Sequence, residues 1–147
     1  MGHQKAGLSL RSGRQLFAIA STILFAACGG SEAAVEPIVT SVAGTWTLTA
    51  INDKALPFIL QARDPKLELI DRQYVFSATT FTLAYTIRST ELDGSTATSK
   101  ATDSGTYTLA NNVVSMQFQK DGTSATAAVA GNTMTFAAGV TQTYTKQ

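Results

Sequence analysis

Cysteine, histidine and tryptophan each occur once in this chain of 147 residues, at Cys28, His3 and Trp46. A lone cysteine has no partner within the chain, so a disulfide framework is excluded. The one thiol and the one imidazole both lie near the N-terminus. A zinc site of the usual His/Cys kind therefore lacks ligands, and a Ser-His-Asp or Cys-His nucleophile is equally short of parts. Eleven Lys and Arg face ten Asp and Glu with no basic cluster, which removes the electrostatic footprint of a nucleic-acid binder. No apolar run approaches the roughly 20 residues that a bilayer-spanning helix needs. Proline occurs only three times, too few for a mucin-like stalk despite abundant threonine.

What is present begins with a leader. Residues 1–15 are polar and carry Lys5, Arg11 and Arg14, and residues 16–25 (LFAIASTILF) carry no charge. Ala26 and Ala27 then precede Cys28. Basic, apolar and small residues in that order are the pattern of a secretory signal peptide. Leu24 to Cys28 resembles the lipobox of bacterial lipoproteins, with Phe25 where that family prefers leucine. The resemblance implies cleavage after Ala27, loss of His3, and a lipid on Cys28 as the membrane attachment. One acyl chain binds reversibly and further chains make the anchor durable. Gly29 stands where an aspartate would resemble an inner-membrane retention signal, so the resemblance implies the outer membrane in a Gram-negative host. The expected organisation is a signal peptide over 1–27, a lipidated N-terminus and flexible tether over 28–41 (with Pro37 and small residues), and one domain over 42–147. Beyond the leader, eight cationic residues meet ten acidic ones, a net charge of −2.

From Val42 onward the pattern has period two. Trp46, Leu48 and Ala50 alternate with Thr45, Thr47 and Thr49, and Phe81, Leu83, Tyr85 and Ile87 alternate with Thr80, Thr82, Ala84 and Thr86. Val114, Met116 and Phe118 continue the alternation, as do Met134, Phe136 and Tyr144. All but one of the 22 threonines follow Cys28, and β-branched polar residues suit strand faces that meet water. Asn52-Asp53, Asp93-Gly94, Asn111-Asn112, Asp121-Gly122 and Gly131-Asn132 supply residues that tolerate positive φ. Eight strands are predicted, at about 43–52, 66–77, 79–91, 95–109, 112–119, 123–130, 132–138 and 139–146. Asp103-Ser104-Gly105 is expected to be a bulge. Ala55 to Pro65 is expected to be a loop with one helical turn. An antiparallel meander with one apolar face either folds into two packed sheets or closes into an up-and-down barrel. Closure removes the edges and is the expectation.

Gly44-Thr45-Trp46 resembles the G-x-W of lipocalins. Leu56-Pro57 and Gly105-Thr106-Tyr107-Thr108-Leu109 look like small bacterial lipocalin-like lipoproteins. The resemblance implies an all-β, eight-stranded antiparallel barrel in which Trp46 closes one end and Lys146 lies across it. Avidins share G-x-W, but their pocket needs several tryptophans and this chain has one.

Glu68 with Glu91 could supply paired carboxylates, although solvated strand charges explain them equally well. Asp93 and Asp121 precede glycines and read as turn residues rather than calcium ligands. Tyr74, Tyr85, Tyr107 and Tyr144, with Gln142, fall on inward positions. They either fill the core or line a small pocket, and the many Ala and Thr favour a filled interior. A non-enzymatic envelope protein follows, with neither cofactor nor metal. It binds a small apolar ligand, or alternatively meets another envelope protein through its outer surface.

Overall fold

A computed structural model describes residues 37–147 of the chain. Cys28, the leader and most of the tether lie outside the described residues. Ten strands follow in order: β1 Gly44–Ile51, β2 Lys54–Ala55, β3 Phe58–Gln61, β4 Lys66–Phe76, β5 Thr80–Thr90, β6 Thr96–Ala110, β7 Val113–Phe118, β8 Ser124–Ala130, β9 Thr133–Phe136 and β10 Gln142–Lys146. β4 through β10 pair in sequence, and β1 pairs with both β10 and β4. These eight strands form a closed antiparallel barrel. The short β2 and β3 occupy the seam where β1 and β4 part, β2 on Ala50–Ile51 and β3 on Leu67–Leu69.

Local chemistry accounts for the hairpins. Asn52 and Asp53 (φ 48° and 62°) and Asn111 and Asn112 (φ 51° and 61°) supply consecutive left-handed residues, as a two-residue turn between twisted strands requires. Connections this short leave no room for a crossover, so each strand returns beside its predecessor.

Three expectations are corrected. Thr49 is an extra residue in β1, because Leu48 pairs Tyr144 while Ala50 pairs Thr143. Its hydroxyl donates to the Thr143 carbonyl at 3.0 Å. The bulge reverses the alternation, so Ile51 rather than Ala50 is buried. Asp103-Ser104-Gly105 is not a bulge: these residues pair in unbroken register with Leu83, Thr82 and Phe81. Gly105 serves space instead, since a Cβ there would land on the Gln117 carbonyl oxygen and within 2.8 Å of the Phe81 ring. Ala55 to Pro65 forms no helical turn. Phe58 and Ile59 meet an open β4 edge opposite Leu69 and Glu68, and that edge satisfies their backbone as strand.

Seven of the eight barrel strands supply buried residues to one core, and β6 packs half-buried Tyr107 and Leu109 against it. Trp46, Leu48, Tyr74, Phe76, Phe81, Leu83, Val114, Met116, Ala127, Val129, Met134, Phe136 and Tyr144 are all buried. Tyr74 is central, its ring centroid 5.2 Å from Tyr144, 5.7 Å from Phe136 and 5.8 Å from both Phe76 and Phe81. Offset and edge-on contacts at such distances add to simple burial.

β4, β5 and β6 run on past the barrel as a sheet extension. On its outer face Glu68 sits opposite Arg88 and accepts from Arg88 Nη2 and Lys66 Nζ, each at 2.8 Å. Glu68 is covered by these side chains rather than by depth of protein, and hydrogen bonds from Lys66 and then Arg88 hold its carboxyl below the usual range.

Candidate functional site

The two barrel ends differ in chemistry. At one end Trp46 is fully buried and donates from Nε1 to the Val42 carbonyl at 2.8 Å. Lys146, its register partner on β10, lies over the indole with Nζ 5.6 Å from the centroid. The Asn112 side chain ties down the incoming chain, accepting from Val39 N at 2.7 Å and donating to the Pro37 carbonyl at 3.2 Å. Tyr107 also belongs to this half, its ring 5.0 Å from Phe76 and its hydroxyl donating to the Ser77 carbonyl at 2.6 Å. Tyr107 therefore stands apart from the other tyrosines that strand parity grouped with it. Parity gives the face of a residue and not its height along the barrel.

The opposite end is an open mouth of about 380 Å³. Arg72, Tyr85 and Gln142 line it, with Leu83, Phe118 and Phe136 as apolar wall and Tyr74 as floor. Asp103, facing inward from β6, and Asp121, in the turn after β7, also line it. Tyr144, one layer below, is fully buried and enters through its hydroxyl, which donates to Gln142 Oε1 at 3.0 Å. Gln142 Oε1 also accepts from Arg72 Nη1 at 3.2 Å, and Arg72 Nη2 donates to the Tyr74 hydroxyl at 3.4 Å. The depression over Thr80, Thr82, Thr106 and Gln117, by contrast, lies on the hydroxyl-rich outer wall.

Arg72 is the residue that sequence reasoning missed. It lies two positions before Tyr74 on the same inward face, so a charge at an inward position was the available signal. Asp103 carries the same signal, two before Gly105 and four before Tyr107.

The tyrosines beneath the mouth are held in their neutral form. Burial pushes the Tyr74 hydroxyl up, only partly opposed by Arg72, and burial raises Tyr144 further. Both therefore stay neutral donors through the physiological range. Asp121 is held below the usual carboxylate range by hydrogen bonds from the Thr123 backbone and side chain. Among the described residues no group of three His, Cys, Asp or Glu could hold a metal ion.

Comparison with known proteins places this architecture. The lipocalin-like domain family matches residues 42–136, more than half of the chain. A lipocalin-like protein from Bacteroides uniformis is similar in structure at 16% identity and a TM-score of 0.43, over 71% of this chain and 97% of that one. An uncharacterized protein from Bacteroides eggerthii is similar at 13% identity and a TM-score of 0.42, over 73% of this chain and 100% of that one. No curated protein matches the chain. A barrel opening with Gly44-Thr45-Trp46, closed at the tryptophan end and matched from residue 42 to 136 by that family, belongs to the lipocalin-like domain family.

Proposed function

We propose that this chain is a lipid-anchored cell-envelope protein whose barrel binds one small amphipathic molecule in its open mouth, without catalysis. The observation that carries the reading is the convergence of Arg72, Tyr74, Tyr85 and Gln142 on one opening of about 380 Å³ above a packed aromatic floor. A concave site with apolar walls and a few convergent polar groups is the usual form of a small-ligand site. The raised tyrosines are poor bases at neutral pH, and Arg72 is a fixed charge. Polar groups here orient a ligand rather than transform it. The packed floor limits depth, so a ligand enters by one part and leaves the rest near the rim.

The anchor rests on the order of Arg14, the run 16–25, Ala26-Ala27 and Cys28. Its test is metabolic lipid labelling with membrane fractionation of wild type and Cys28→Ser. The expected result is label and processing in wild type only. A Cys28→Ser protein that is processed and released normally would remove the anchor from the reading. The binding part is tested by titrating the delipidated domain with Nile red, a neutral apolar dye. Saturable one-to-one binding that raises the melting temperature by mass action is expected, weakened in Tyr85→Ala. A linear, unsaturable response unaffected by Tyr85→Ala rejects it.

One observation favours a second reading, an interaction module for another envelope protein. Thr96 to Asp103 of β6 pair only with β5 among the described residues, leaving the other edge of the extension open. An open edge is a template for an added strand. Hydrogen exchange along 96–103, slowed on addition of an envelope fraction while the mouth stays unprotected, would favour this reading over the first.

A further inference from the structure

We infer that the mouth selects a molecule with a single negative charge at one end, a monocarboxylate with an apolar body, and that Arg72 supplies the countercharge. This rests on the binding reading above and specifies its ligand class.

The argument starts from the hydrogen-bond inventory of one side chain. A guanidinium carries five N–H donors and a permanent charge. Among the described residues Arg72 makes two side-chain hydrogen bonds, at 3.2 and 3.4 Å, both to neutral acceptors. Its Nε is buried without a partner. Among the described residues no carboxylate lies within ion-pair distance of it, the ion pairs there being those of Glu68 with Lys66 and Arg88. A cation drawn into a barrel with its donors half used is costly in the free protein. That cost is offset when an anion arrives, because the same low dielectric strengthens the new pair.

The neighbours of Arg72 are donors as well. The Tyr74 hydroxyl accepts from Arg72, and its own proton has no acceptor among the described residues. The Gln142 oxygen is occupied by Arg72 and Tyr144, so its amide N–H groups are what remain for a ligand. Guanidinium, phenol and amide together present donors to one small region, which suits a group that only accepts. A carboxylate has two acceptor oxygens and matches the guanidinium fork. Leu83, Tyr85, Phe118 and Phe136 complete the wall for the apolar remainder.

The acidic residues of the mouth limit the charge of that head. Asp103 and Asp121 flank the same opening, and Asp121 is kept ionised by its bonds to Thr123. Arg72 against these two aspartates leaves the opening with a net charge of 1 − 2 = −1. One negative charge on a ligand can pair with the guanidinium while a second meets only repulsion, so a phosphate monoester is selected against.

Isothermal titration of the delipidated protein with decanoate, 1-decanol and decyl phosphate at neutral pH tests this. Decanoate is expected to bind about ten- to a hundredfold more tightly than decanol, the range of a charge-assisted hydrogen bond. It is also expected to bind more tightly than decyl phosphate. Arg72→Met should remove the preference for decanoate over decanol without lowering the melting temperature of the free protein, and Arg72→Lys should retain part of it. Equal binding of decanoate and decanol by wild type overturns the inference while leaving the binding reading intact, whatever the folding of the variants. Tighter binding of decyl phosphate overturns the monoanion assignment. Failure of all three to bind, together with failure of Nile red, overturns both.

Discussion

Lys146 lies over Trp46, its Nζ 5.6 Å from the ring centroid, because the two are register partners on the strands β10 and β1 that close the barrel. The pair sits beside Gly44, where a Cβ would come within 3.2 Å of the Lys146 side chain. Gly44 also holds φ at +122°, a conformation that side chains rarely adopt. The G-x-W start of β1 is thus a steric unit. The glycine leaves room for the lysine, and the lysine covers the indole.

Trp46→Ala is expected to destabilise the barrel by about 3–5 kcal/mol, the range for truncating a buried aromatic. Lys146→Ala should cost less, about 0.5–2 kcal/mol for the loss of a cation over the ring. Denaturant unfolding measures both. Wild-type tryptophan emission should be blue-shifted, and emission at the wavelength of free indole would contradict the burial of Trp46.

Gly105→Ala is expected to be among the most damaging single-methyl changes, costing about 3 kcal/mol or more as overpacking. The added carbon meets the Gln117 backbone carbonyl as well as the Phe81 ring, and a backbone in a ladder cannot swing aside as a side chain can. An alanine variant with an unchanged unfolding midpoint would show that β6 and β7 lie farther apart.

The buried Tyr74 and Tyr144 and the half-buried Tyr107 predict an alkaline limit to stability. Burial raises Tyr74, Tyr107 and Tyr144 above the ordinary 10.0. A folded-state pKa above the unfolded value gives stability that is whole below about pH 10 and is lost as pH rises through the folded values. Tyrosinate absorbance of the folded protein should lag that of the denatured chain above pH 10. Superimposable titrations would refute the assignment.

Glu68 predicts the opposite limit for the sheet extension. Hydrogen bonds from Lys66 and then Arg88 hold its carboxyl below the usual carboxylate range. The stabilisation is whole above the unfolded pKa and falls as pH drops through the folded one. Protection from amide exchange across Lys66–Leu69 and Ile87–Thr90, relative to the unfolded chain at the same pH, should therefore fall in acid before protection in the barrel does. Glu68→Gln should remove that difference, and an unchanged difference in the variant would exclude Glu68 as its source.

Strand order, hairpin turns and the inward face of most strands were legible in the sequence, because each depends on chemistry within a few residues. Asn111-Asn112 makes a tight turn wherever it stands, and Phe81, Leu83 and Tyr85 alternate on any pleated strand. The bulge at Thr49 was not legible, since it depends on the register of β1 against β10, nearly one hundred positions away. The two short strands before β4 were hidden for the same reason, because an open edge recruits them and their own composition does not. The tyrosines show the boundary most clearly. Strand parity turned Tyr74, Tyr85, Tyr107 and Tyr144 inward, but only closure set their heights. It carried Tyr107 to the tryptophan end, laid Tyr74 and Tyr144 in the floor, and left Tyr85 in the mouth with Arg72. Side-chain direction is a local property of a strand. Which side chains share one space is decided by the register of strands distant in sequence.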